Sequence, residues 1–398
     1  MIRYEEKDFR LAEEFCAVAL GADRFYRDLQ SGEGGEESFT VEGLAPVDFS
    51  GVAPREIHSW EEAIDGLTQI YRGYESLSDP ARRNYMLQQV GSFRKVCRWL
   101  SGAPMDFREI AAETMFIDEN PVGAGFLEGK YCAMDAALGE AGYTGTLEQR
   151  LASWREAREI HGGEATEKTL NDLLAQAKER ALAKGFTAIK DFDVRAEVVY
   201  NKPYSGYCDY FTRMIYINGA ITYTYDELKH LVCHEAYPGH MTHMAIRQQL
   251  LEAGRIPADA GLVLTNTASS PIFEGLADNG MAALDWEDDV NDRICRYLTE
   301  IQSICNVNAS HILYCGGGKE AAADYLRKYS FGSESRIDSR LRYMGFPFRK
   351  AYMYAYWRGW DAVARKWESL RLEERPAFLQ YLYENMHSVD TVAQFGEN

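Results

Sequence analysis

One short stretch of the chain concentrates the residue types that hydrolyse amides. It is YDELKHLVCHEAYPGHMTH, residues 225–243, and four of the eight histidines fall in it: His230, His234, His240 and His243. A His-Glu pair on a helix, with another His further along, is how zinc hydrolases begin their sites. Imidazoles bind the metal, and the carboxylate beside the first polarises a water. His234 and His240 are therefore the leading ligand pair, with Glu235 as general base.

The spacing differs from H-E-x-x-H, in which four residues bring both imidazoles within ~40° on a helix. Six residues separate His234 from His240, which is ~240° on a regular helix. A regular helix therefore cannot make this site. The intervening residues supply the remedy. Pro238 lacks an amide hydrogen and clashes with the carbonyl of His234, and Gly239 tolerates unusual dihedrals. The pair predicts a break or bulge just before His240. On spacing alone, His230 with His234 and His240 with His243 stay open as pairings. Cys233 adjoins His234 and reads as a small buried residue.

Three protein ligands and an open position make a catalytic zinc site. The best third ligand lies in SSPIFEGLADNGMAAL (269–284), where the serines and Pro271 start a helix. Glu274 falls in its first turn. Asp278, four residues on, shares its face and is placed to accept a hydrogen bond from a ligand histidine.

HEAYPGH followed by FEGLA resembles the bacterial family recorded as domain of unknown function 885. The fingerprint of that family is HE-x-x-PGH followed by a helix beginning EG-x-A. Members look like helical zinc-dependent peptidases, related in architecture to the gluzincins, in which two His and a later Glu hold the metal. By position, the resemblance implies His234, His240 and Glu274 as zinc ligands and Glu235 as the base. It covers about residues 195–360. The chain departs from the pattern at Met241, commonly a second His, and at His243, often Gln. It departs again at Asp278, usually a bulky apolar residue. No implied ligand is lost.

Amide hydrolysis also needs a donor to the developing oxyanion. FPFRKAYMYAYWRGW (346–360) offers Tyr352, Tyr354 and Tyr356. The first and last share a helical face, and Tyr354 lies roughly opposite. The family tends to have Tyr-x-x-Gly here, which Tyr356 and Gly359 fit. Tyr356 is taken as the donor, with Tyr352 next. Arg349, Arg342 and Arg340 are candidates to hold a substrate carboxylate. Tyr207, Asp209 and Tyr210 precede the strand-like run RMIYIN, whose edge would pair with an extended substrate. His243 and His311 are further candidate substrate contacts.

The elements that must position these residues are mostly helical. Apolar spacing predicts helices over 59–77, 80–100, 147–160 and 164–184. Ser59 with Glu62 reads as a capping box, Pro80 as a first helical residue, and Lys184-Gly185 as a stop. Residues 31–56 are Gly-rich and acidic and read as an extended loop, with a short strand at SFTVEG. AEVVY (196–200) and RMIYIN (213–218) read as a two-stranded ribbon with a long connection. CGGG (315–318) reads as a helix end. The expected fold is mainly α: a large helical, zincin-like domain with a small sheet beside the metal-binding helix. Residues 1–190 form an N-terminal helical region, either part of that domain or a packed subdomain. Residues 191–398 carry the catalytic zinc.

The 398 residues are 46% hydrophobic and 26% charged, an ordinary globular composition. Lys+Arg 43 against Asp+Glu 61 gives a net charge of −18, which should repel nucleic-acid phosphates and anionic lipid. Eight cysteines without a CxxC do not resemble a secreted disulfide framework. The opening MIRYEEKDFRLAEEF lacks the apolar core of a signal peptide. These features point to a cytoplasmic zinc metallohydrolase, a peptidase acting on small peptides. Its alternatives are an amidase with a non-peptide or biosynthetic substrate, and a non-catalytic metal-binding protein of the same fold.

Overall fold

The computed structural model describes residues 2–30, 43–200, 202, 204 and 206–397. The fold is mainly α, with three small sheets among the described residues. The expected strand at 38–43 lies outside the described residues except for Gly43. The chain divides into two compact units. One comprises residues 1–119, 243–276 and 358–398, the other 120–242 and 277–357. Three of the four divisions fall inside helices, His240–Glu252, Ser270–Asp278 and Met353–Ser369.

In the first unit, local chemistry sets the helix ends. Pro80–Leu100 begins at the proline, capped by the Asp79 carboxylate. Trp60–Tyr74 is capped by Ser59. Its Glu62 carboxylate accepts from the amide of His58, at 2.8 Å, instead of closing a box on Ser59. Glu6–Gln30 packs its apolar face on these helices, with Phe15 edge-on to Phe93 at 6.3 Å. Buried Arg82 bridges two buried carboxylates, Asp8 at 2.9 Å and Asp259 at 2.6 Å. Truncating the arginine would leave both carboxylates uncompensated. After Gly43 the chain stays extended, and Val47–Asp48 pairs antiparallel with Leu262–Val263.

Buried His387 closes this unit near its C-terminal end, its Nε2 2.9 Å from the Tyr381 carbonyl. Burial lowers its pKa from 6.5 to about 4, with the carbonyl contact acting weakly the other way. Between these values the unfolded chain binds a proton that the fold excludes. The stability His387 contributes is therefore complete above pH ~6.5 and lost as pH falls toward ~4, by about 3 kcal/mol in all. Urea melts at pH 7 and pH 5 should show His387→Gln with the shallower pH dependence. Equal slopes would place the proton uptake elsewhere.

In the second unit, Leu147–Arg158 and Gly163–Ala183 occupy the expected stretches. Gly185 at φ +92° ends the latter. The ribbon is a three-stranded sheet. Arg195–Val199 and Met214–Asn218 pair in parallel, and Gly206–Asp209 from their connection adds antiparallel to the far side of Met214–Asn218. Parallel neighbours need a long return connection, and here that return itself holds a strand. RMIYIN is thus the middle strand, and Arg195–Val199 and Gly206–Asp209 are the edge strands. Tyr223–Thr224 pairs with Glu159–Ile160 and leads straight into helix Tyr225–Glu235. That helix is held against Val290–Tyr314 by a buried ion pair, Lys229 to Asp292 at 2.8 Å. Val290–Tyr314 ends at the expected glycine run, with Gly316 at φ +106°.

Candidate metal centre

Helix Tyr225–Glu235 opens with a full capping box between Thr224 and Glu227. It stops at Glu235, and a new helix starts at His240. The break expected from Pro238-Gly239 is therefore present, and the Tyr237–Pro238 peptide is cis. A Cβ on Gly239 would stand 1.7 Å from the His234 carbonyl oxygen, so only glycine permits this return. Side chains hold the broken ends. Thr242 donates from its amide and hydroxyl to the Ala236 carbonyl, at 3.1 and 2.8 Å. The Tyr237 hydroxyl donates to the Phe192 carbonyl at 2.5 Å and accepts from the Val194 amide at 2.9 Å.

This break turns His240 back on His234. The two Nε2 atoms face each other at 3.1 Å, with the rings nearly perpendicular. Two ligands ~2.0–2.1 Å from a tetrahedral zinc stand ~3.3 Å apart, so the pair already has ligand spacing. The Asp278 carboxylate lies 2.8 Å from His234 Nδ1. It holds a proton at Nδ1 and leaves Nε2 as a lone pair, the tautomer a metal requires. Burial pushes the Asp278 carboxyl up, but His234 and His230 outweigh it and hold the carboxyl well below the usual carboxylate range.

Glu274 and Asp278 both stand on helix Ser270–Asp278, one turn apart. His230, His234 and Asp278 each offer a ligand atom, all within 4.8 Å of one another, but there His234 spends Nδ1 on Asp278, and His230 lies 3.5 Å from the same oxygen. The expected donor set of two imidazoles and a carboxylate suits zinc. Gly275, beside Glu274, lets the backbone of Gly359 come so near that a Cβ would meet it at 2.2 Å. Both glycines of the EG and Tyr-x-x-Gly patterns are therefore packing requirements. Cys233 is fully buried, its thiol pushed well up by desolvation, and is not one of these donors.

Within the second unit a cleft of about 260 Å³ is lined by His230, His234, Glu235, Asp278 and Tyr356. Glu235 ends its helix there, with Gly206 beside its carboxylate and packed closely against Ile217 and Leu231. Of the other candidate aromatics and cations, Arg340 also lines the cleft, and the rest lie off its wall. Tyr352 packs edge-on to Tyr356 at 5.7 Å. Tyr354 is within 3.1 Å of His311 Nδ1. Buried Arg349 stacks 5.0 Å over the Tyr352 ring. Tyr210 stacks on Phe192 at 5.5 Å. In the first unit, His243 is buried between Phe273 and Tyr383.

Two helices add residues to the cleft wall that, Arg340 apart, the sequence did not single out. Val290–Tyr314 contributes Thr299, Gln302, Ser303 and Asn306, and Glu334–Gly345 contributes Arg336, Arg340 and Tyr343. Each set repeats at three or four residues, a polar stripe. The stripe on the first helix, whose other faces are largely apolar, was a usable signal.

The sequence matches no family model and no curated protein. Solved structures are similar, two of them as follows. A candidate lipoprotein from Colwellia psychrerythraea is 16% identical over 84% of this chain and 69% of its own, with a TM-score of 0.53. A candidate lipoprotein of unknown function from Shewanella oneidensis is 13% identical over 85% and 73%, with a TM-score of 0.54. At these identities the likeness is one of fold. Among the described residues, no helix is long and apolar enough to cross a membrane.

Proposed function

We propose that the protein is a zinc-dependent hydrolase of amide bonds, a peptidase of the kind that the HEAYPGH and FEGLA resemblance implies. The observation that carries this reading is the facing pair of Nε2 atoms of His234 and His240, with Asp278 behind His234. A hydrogen bond between the two rings has the same length, but the pair also stands at metal-ligand spacing with a carboxylate behind one of its rings. A zinc ion held by His234, His240 and Glu274 would supply Lewis acidity to a water and to the scissile carbonyl. Glu235 takes the proton of the attacking water and later delivers it to the departing amine. Tyr356 donates from its hydroxyl to the oxygen on which charge develops. Asp278 keeps the His234 proton on Nδ1 and the ring aimed. Gly206–Asp209 is an edge strand beside Glu235, along which an extended peptide can pair.

The test is direct. Purified protein should carry about one zinc per chain and should cleave members of a short-peptide library, with both properties removed by a chelator. Cleavage of small amides but not peptides would favour the amidase reading. Zinc without turnover on either class would favour a metal-binding protein. The location that goes with this proposal is the cytoplasm. Cys16, Cys97, Cys132, Cys233, Cys295 and Cys305 form no disulfide, as a reducing compartment requires. The description of both structural neighbours as lipoproteins favours the cell envelope instead, and fractionation of the native host separates the two.

A further inference from the structure

The charges lining the cleft can be matched one by one. Its acids are Glu227, Glu235 and Asp278, and its cations, besides His230 and His234, are Arg336 and Arg340. Asp278 is committed to the two histidines. Glu227 is committed twice: it closes the capping box on the Thr224 amide at 2.8 Å and takes Arg336 at 3.0 Å. Arg336 also donates to the Thr222 carbonyl at 3.1 Å and lies 5.6 Å over the Tyr223 ring. It is held as a strut. Arg340, one helical turn on and on the same face, has no carboxylate partner among the described residues. Its side chain is exposed and it lines the same cleft as Glu235 and Tyr356.

We infer that Arg340 is the residue that selects substrates bearing a free carboxylate, and that Arg336 serves to hold the wall it stands on. The inference rests on the hydrolase reading and names its substrate class. The physical case is one of local charge. A chain of net charge −18 repels anionic ligands at long range, so an anionic substrate needs a specific cation to receive it. A guanidinium offers two parallel donors that match a carboxylate. Among the described residues of the cleft, the one carboxylate without a committed partner, Glu235, is required for proton transfer in the proposed reaction, which leaves Arg340 for the substrate. The carboxylate can be a peptide C-terminus or an acidic side chain.

The test uses N-acetylated tripeptides in matched pairs: C-terminal acid against carboxamide, and Glu against Gln at one side-chain position. The zinc-loaded full chain should prefer one acid over its neutral twin by about 10- to 100-fold in kcat/KM, the range of a charge-assisted hydrogen bond. The pair showing the preference identifies the source of the carboxylate. Arg340→Gln should bring that ratio close to one, chiefly through KM. Arg340→Lys should restore part of it, and added salt should shrink it in the wild type. Equal rates for acid and neutral twins, or a preference that survives Arg340→Gln, overturns the inference while cleavage itself upholds the hydrolase. If no peptide is cleaved, the peptidase reading fails, and calorimetric binding of the same pairs decides this point separately. A preference for the acid that Arg340→Gln abolishes sustains the inference, and equal or absent binding overturns it.

Discussion

Glu235→Gln should keep its zinc and its thermal melt while losing turnover by ~10²- to 10⁴-fold. Glutamine has nearly the same shape, and Glu235 is the last residue of its helix, opposite Gly206. The substitution therefore disturbs little packing, but an amide cannot accept the proton of the attacking water. Loss of kcat with little change in KM is the pattern expected for a group acting only in the transition state. Tyr356→Phe should be milder, about 10²-fold and up to ~10³-fold, because it removes one donor to the developing charge. Metal analysis, melting curves and steady-state kinetics on the best peptide check both variants. Near-normal turnover in zinc-loaded Glu235→Gln would reject the mechanism even with the metal centre intact.

His234→Ala, His240→Ala and Glu274→Ala should each abolish stoichiometric zinc after dialysis. A site with three protein ligands does not hold the ion tightly with two. Asp278→Asn should retain weaker binding, by ~10- to 100-fold, since it orients a ligand without being one. A second readout needs no activity. A ligand at 1,000 times its dissociation constant stabilises the fold by about 4 kcal/mol, so a chelator should lower the melting temperature of the wild type and leave the ligand variants unmoved. Full zinc retention in Glu274→Ala would refute the third-ligand assignment and return the choice to His230 or His243.

The outcome at the histidines shows how far local reading reaches. Pro238 and Gly239 predict a helix break before His240, and the break is there, because a missing amide hydrogen and a carbonyl clash act within four residues. Spacing left three histidine pairings open. The fold separates them: His230 turns to Asp278, His243 is enclosed by Phe273 and Tyr383, and His234 meets His240. The tyrosines divide in the same way. Helical geometry places Tyr354 opposite its two neighbours, and it is found beside His311. That Tyr356 reaches the cleft while Tyr352 packs behind it depends on what lies across from each.

By itself the sequence determined what short-range chemistry controls: the capped start of Pro80–Leu100, the stop at Gly185, the strand-forming runs and the break that carries the site. The tertiary structure alone decided what depends on distant partners. It paired RMIYIN on both sides, because hydrogen bonding between strands is set by where the connection returns and not by the composition of either strand. It also brought the polar stripes of Val290–Tyr314 and Glu334–Gly345 to the cleft. A polar stripe reads the same in sequence whether it faces water or a substrate. Periodicity specifies which residues share a face, and only packing specifies what that face meets.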